Sequence, residues 1–129
     1  MAESGIERRR FRRVPVSFTV YFKVDLPLDA CMQLGDKEFE ALAVDISEGG
    51  LALLTQHEIP DVEVITVKFV MVNDSAYSIE NRFKSIVVEA QVRYKLFSEE
   101  KQSYRLGVQF SNLSSADRRF IAYFVQFSK

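Results

Sequence analysis

Cysteine and histidine each occur once in this 129-residue chain, as Cys31 and His57. A lone cysteine excludes an internal disulfide and suits a reducing compartment. A lone histidine excludes a metal site built from several histidines, and proton transfer between paired ones. There are only five glycines, and none has the spacing of a P-loop or of a dinucleotide-binding turn. Neither sign of charge is in excess. Seventeen basic and 18 acidic residues leave a formal net charge of −1, whereas dedicated nucleic-acid-binding proteins are usually basic overall. Charged residues interrupt every long apolar stretch, so no membrane insertion is expected. The first residues lack the apolar core of a secretory signal. With the single cysteine, this leads us to expect a cytoplasmic protein.

Apolar residues make up 47% of the chain and charged residues 27%, which are globular proportions. The length fits one domain with a substantial core. Its dominant period is two. Val14, Val16, Phe18, Val20, Phe22 and Val24 alternate with polar or exposed-type residues, as a strand with one face on a core requires. The same pattern runs through Ile86, Val88, Ala90, Val92, Tyr94 and Leu96, and through Tyr104, Leu106, Val108 and Phe110. Shorter strands are predicted over 39–46, 51–55 and 62–72. Turn chemistry places loops at 25–37, 73–81 and 98–102. Six antiparallel strands at these spacings predict an all-β, closed six-stranded barrel. The last segment changes period. Ser114 to Asp117 has capping chemistry. Ala116, Phe120, Ile121, Phe124 and Phe127 follow at helical spacing, which predicts a C-terminal helix over 115–127. That helix either plugs one end of the barrel or offers a face to a partner.

Two segments carry chemistry. The first is Glu7-Arg8-Arg9-Arg10-Phe11-Arg12-Arg13, in which five of seven residues are arginine. The positive charge is therefore concentrated in one short stretch. A guanidinium is planar and always charged, and its fork of donors matches phosphate or the O6/N7 edge of guanine. By itself the run also suits a solvated basic tail. However, it leads straight into the first strand through Val14-Pro15-Val16. We therefore divide the chain into a flexible arginine-rich arm, 1–13, and a barrel domain, 14–129. The second segment is Asp45-Ile46-Ser47-Glu48-Gly49-Gly50. Asp45 and Ser47 can bond local backbone donors and set a turn. Gly49 and Gly50 allow positive φ and close approach of a ligand to the main chain. An aspartate can also accept from the N1 and N2 donors of guanine, which adenine cannot match.

Together the two segments resemble the RxxxR and [D/N]xSxxG motifs of the PilZ domain, a bacterial cyclic di-GMP receptor. Arg9 and Arg13 fill the first motif, and Asp45, Ser47 and Gly50 fill the second. Tyr104 to Phe110 resembles the last strand of the family, and the similarity extends from about residue 6 to 127. The resemblance implies a six-stranded barrel with a C-terminal helix and a non-catalytic receptor. It implies that Arg9 and Arg13 contact guanine and phosphate, that Asp45 and Ser47 hold a guanine edge, and that Gly50, with Gly49, shapes the turn. Arg8 stands just before RxxxR, a place the resemblance associates with a stacked pair of ligands, so two cyclic di-GMP molecules per chain are expected. No other cofactor and no metal are expected. The signal would pass to a downstream effector protein in control of motility, exopolysaccharide synthesis or virulence. The separation between the motifs is longer than usual in the family, and the excess falls in the 25–37 loop. The rival readings are a nucleic-acid-binding barrel and a PilZ-like scaffold that works through protein contacts alone.

Overall fold

In the computed structural model, which describes residues 12–24, 38–58, 64–72 and 83–127, the alternating segments close into a barrel. The strands are β1 (Val14–Val24), β2 (Glu38–Ser47), β3 (Gly50–Thr55), β4 (Val64–Val72), β5 (Phe83–Ser98) and β6 (Ser103–Phe110), followed by helix α1 (Ser115–Phe127). Their order around the barrel is β1-β2-β3-β6-β5-β4, and every pair is antiparallel. Closure leaves no exposed sheet edge along the paired stretches, where another chain could add. The loops expected at 25–37 and 73–81 lie outside the described residues, as does the arm before Arg12. The hairpin tip after Ser98 is described. There Gln102 takes a left-handed conformation (φ 51°), and its side-chain amide donates to the carbonyl of Glu99 at 2.7 Å.

The inward rows fill the barrel. Val20, Phe22, Ala43, Ile46, Leu51, Leu53, Ile65, Phe69, Ile86 and Leu106 are all buried in one apolar cluster. Burial of each large side chain contributes roughly 1.5–3 kcal/mol. Rings link across strands, with Phe22 stacked on Phe39 at 5.3 Å, Phe18 on Phe69 at 5.6 Å, and Phe69 on Phe110 at 6.4 Å. Such pairs add to the burial term.

The helix begins as its sequence directs. The Ser114 hydroxyl accepts the Asp117 N–H at 3.1 Å, satisfying one of the orphan donors of the first turn. Ile121 and Val125 join the barrel core, with Phe120 and Phe124 packed beside them. The Asp117 carboxylate pairs with Lys84 of β5 at 3.4 Å. The helix thus packs onto the barrel core. The expected stripe differs in two places: Ala116 and Phe127 are exposed. The buried face runs through Ile121 and Val125, four residues apart, and rotates both of them outward. Phe127 packs against Tyr123 on the opposite face, ring centroids 4.6 Å apart and the planes tilted by 45°.

The alternation also fails in β5. Tyr94 and Leu96 were expected in the inward row, yet Leu96 is 59% exposed. A bulge explains this. Val92 faces Val108, whereas Tyr94 faces Gly107, so Arg93 is an extra residue and every side chain beyond it changes face.

Truncating Phe22 to alanine should destabilise the barrel by about 3–5 kcal/mol, because a fully buried ring leaves a cavity that rigid strands cannot close. Urea denaturation followed by circular dichroism measures it.

Candidate functional site: a bracketed platform on the outer wall

The polar turn after β2 and the end of the arginine run meet on the outside of the barrel. Arg13 immediately precedes β1, and Pro15 lies opposite Asp45 of β2. The Arg13 guanidinium donates from Nη1 to Asp45 Oδ1 at 2.8 Å. Asp45 faces outward because of a second bulge. Phe39, Ala41 and Ala43 point inward, and simple alternation would send Asp45 into the core after them. Instead the ladder steps from Ala43–Leu53 to Asp45–Ala52. Against β3, Val44 is the extra residue. The ladder to β1 shifts at the same place, from Phe18–Ala43 to Pro15–Asp45, with Val16 and Ser17 of β1 opposite Val44 alone. Ile46 therefore turns inward and is completely buried, and the carboxylate stays at the surface, where water and cations spare it desolvation.

The two bulges act on one cross-strand row. Asp45 faces Ala52, Ala52 faces Gly107, and Gly107 faces Tyr94. The row is a shallow platform of two small residues between a carboxylate and an aromatic ring. Ala52 is 1% exposed yet is not part of the core cluster, so it is covered from outside. At Gly107 a Cβ would lie 2.0 Å from Cε2 of the Tyr94 ring. The ring lies against the glycine, and a larger residue would displace it.

A second guanidinium spans the platform. Arg105 Nη2 donates to Asp45 Oδ2 at 3.3 Å, and its Nε to the Tyr94 hydroxyl at 3.4 Å. Both carboxylate oxygens of Asp45 therefore meet an arginine, one from the start of β1 and one from β6. The pairs are partly solvated, and the Asp45 side chain is 21% exposed. Such pairs contribute little to stability, about 0–1 kcal/mol each.

The structure thus brings Arg13 and Asp45 together. Arg8 and Arg9 lie outside the described residues. Ser47 is buried, and its hydroxyl accepts the Gly49 N–H at 3.1 Å, so it fixes the turn. The Gly49 carbonyl accepts the Phe110 N–H at 2.8 Å, which locks the turn to β6. Gly50 was expected to offer positive φ and room for a ligand. In the structure it offers room to a strand: an added Cβ would sit 2.0 Å from the Val108 carbonyl oxygen. Tyr94 and Arg105 were missed as site residues. The sequence places them in alternating strands, and nothing in that alternation marks a bulge or a pairing across 60 positions. Beside the platform, the outer wall continues into an open groove of about 520 Å³ lined by Leu42, Leu54, Glu40, His57 and Lys101 among others. His57 lies just after β3 with its ring edge-on to Phe39 at 5.4 Å. Among the described residues no cluster of three or more His, Cys, Asp or Glu side chains is placed to hold a metal ion. Nor is any helix among them long and apolar enough to cross a membrane.

A closed antiparallel barrel with a helix packed on its core, and an arginine and an aspartate joined on its outer wall, define a class of small β-barrel domain. The chain belongs to the PilZ domain family, whose model matches residues 7–127. No curated protein matches the sequence. Among solved structures, the Bacillus subtilis inhibitor of motility MotI/DgrA is similar at 16% identity and a TM-score of 0.69, over 92% of this chain and 50% of that one. Escherichia coli YcgR in complex with c-di-GMP is similar at 19% identity and a TM-score of 0.56, over 92% and 45%. The K. pneumonia MrkH–c-di-GMP complex is similar at 17% identity and a TM-score of 0.61, over 92% and 51%. This chain spans about half the length of each. At these identities the likeness establishes a shared fold.

Gly50→Ala should force β3 and β6 apart and lower the thermal midpoint by several degrees, since a backbone carbonyl cannot yield as a side chain can; overpacking of this kind costs about 1–3 kcal/mol. Gly107→Ala, which meets only the Tyr94 ring, should leave the midpoint nearer that of the native chain. Parallel thermal melts compare the two.

Proposed function

We propose that this PilZ domain is a receptor for cyclic di-GMP that binds a guanine of the ligand on the outer wall and closes its arginine-rich arm over it. The observation that carries this reading is the 2.8 Å pair between Arg13 and Asp45. It joins the two halves of the family motif, 32 positions apart in sequence. Asp45 supplies the acceptors for the N1 and N2 donors of guanine. Arg9 and Arg13 supply charge-assisted bonds to phosphate and to the base. Ser47, Gly49 and Gly50 hold the carboxylate in place through the turn. The names of YcgR and MrkH, both solved with c-di-GMP, support the choice of ligand, and that of MotI supports motility as one process such a domain serves.

In this reading residues 1–13 are a flexible arm that ligand binding orders. The entropy lost by the arm is offset by charge-assisted contacts, and the ligand shifts the arm only by as much as it prefers the ordered state. Arm and ligand then form a surface for a downstream effector protein. The domain performs no catalysis, uses no cofactor beyond its ligand, and acts in the cytoplasm. With Arg8 beside the first motif, two stacked ligands bind each chain.

Calorimetric titration of the purified protein with cyclic di-GMP, beside GTP and cyclic GMP, tests the reading. Cyclic di-GMP should bind and the two controls should not compete. Arg13→Ala should weaken binding by about 1.5–3 kcal/mol, the range of a charged hydrogen bond, with little change in melting temperature. Unchanged affinity would remove the arm from the mechanism. The same titration reports stoichiometry. The native chain should saturate at two ligands and Arg8→Leu at one; a native end point of one ligand refutes the stacked pair.

A further inference from the structure

We propose that Arg105 is a specificity-determining ligand contact: its guanidinium donates to O6 of the guanine whose N1 and N2 donors are held by Asp45. The inference rests on the receptor reading above and adds a residue that neither motif contains.

The chemistry of the edge requires such a group. A guanine presents, in order, an N2–H donor, an N1–H donor and an O6 acceptor. A carboxylate answers the first two and has nothing for the third. A cation next to the carboxylate, on the O6 side, completes the match. Arg105 Nη2 stands 3.3 Å from Asp45 Oδ2, which is the required adjacency. A guanidinium carries five N–H donors and a carboxylate about four lone-pair positions. Arg105 can therefore keep its bond to Asp45 while another of its donors meets O6. Adenine presents an amino donor where guanine has O6, so a cation at that place repels it. Asp45 and Arg105 together read the whole edge, which Asp45 alone cannot.

Arg105 also suits the role in its attachment. Arg13 stands at the edge of the arm, whereas Arg105 belongs to the middle of β6 and faces Leu54 on one side and Leu96 on the other. Its Nε is tied to the Tyr94 hydroxyl at 3.4 Å, and that ring is seated on Gly107. The guanidinium is thus oriented by contacts within the barrel wall, and little ordering remains to oppose binding. Its side chain is 42% exposed, open to a ligand on the wall.

The test is a titration of Arg105→Gln with three cyclic dinucleotides, alongside native protein and Asp45→Ala. Cyclic di-GMP should bind Arg105→Gln at least about tenfold more weakly, as loss of a charged hydrogen bond implies. Cyclic di-IMP keeps O6 and lacks the N2 amine, and should lose affinity by the same factor. Cyclic di-AMP, which has no O6, should lose none, so the preference for guanine narrows. Unchanged or tighter binding of cyclic di-GMP overturns the proposal, the latter making Arg105 a competitor for Asp45. An equal loss for all three ligands also overturns it, since that is the mark of a general charge acting on phosphate. If Asp45→Ala loses cyclic di-GMP while Arg105→Gln keeps it, the receptor reading stands and this inference fails. A native chain that takes up no cyclic di-GMP sinks both. Arg105→Met, with an apolar stem and no donors, gives the same pattern and serves if the glutamine variant does not fold.

Discussion

The site depends on two inserted residues. In a barrel wall the strand period decides which side chains face the core, and a carboxylate on the wrong side would have to be buried without water. Val44 shifts that period in β2 and Arg93 shifts it in β5. The first shift carries Asp45 out of the core and Ile46 into it. The second carries Tyr94 out to lie on Gly107. Each bulge alone would place one polar residue on a surface. Because both ladders meet in the row Asp45–Ala52–Gly107–Tyr94, the two shifts yield a platform with an acceptor at one end and a ring at the other.

The glycines follow from the same constraint. Gly50 and Gly107 stand in strands, where glycine weakens pairing unless something needs the space. At Gly50 the space is taken by the Val108 carbonyl, which draws β3 against β6 and lets the Glu48–Gly49 turn lock onto Phe110. At Gly107 it is taken by Tyr94. Ser47, with its hydroxyl turned to Gly49, belongs to this framework. The chemistry of the polar turn thus divides by position: Asp45 faces solvent, and the residues after it hold the strand ends that aim it.

Much of this was legible in the sequence. The clean alternation of β1 and β6 and the shift to helical period after Ser114 mark elements that local pattern decides, and they formed as read. The family resemblance assigned Arg13 and Asp45 to one ligand, but their direct pairing was not foreseen. What escaped were the places where tertiary registry overrides local pattern. An extra residue at Val44 or Arg93 has no composition of its own, so Tyr94 and Leu96 were assigned to the inward row that Ile86, Val88, Ala90 and Val92 define. Arg105 looked like the outward residue of an ordinary strand. Its partner Asp45 is 60 positions away and becomes a neighbour only because β3 lies between β2 and β6 in the closed order. Ala116 and Phe127 fit the helical spacing but fall off the buried face, because the turn that packs against the core is centred on Ile121 and Val125.

The arrangement of charge on the wall bears on how an anionic purine ligand would be held there. Asp45 is bracketed by guanidiniums on both oxygens, so the three groups together carry a formal positive charge. A guanine edge brings neutral donors, and it gains from the carboxylate only by sharing or replacing those arginines. If it replaces Arg13, that guanidinium is freed beside the ligand, where phosphate is the nearest acceptor. The exchange leaves the number of charged hydrogen bonds about level and moves one of them from protein to ligand. The gain in binding then comes from charge-assisted bonds to phosphate. Arg105, fixed in β6, need not leave. A site built in this way has one cation held in the barrel wall and one at the start of β1.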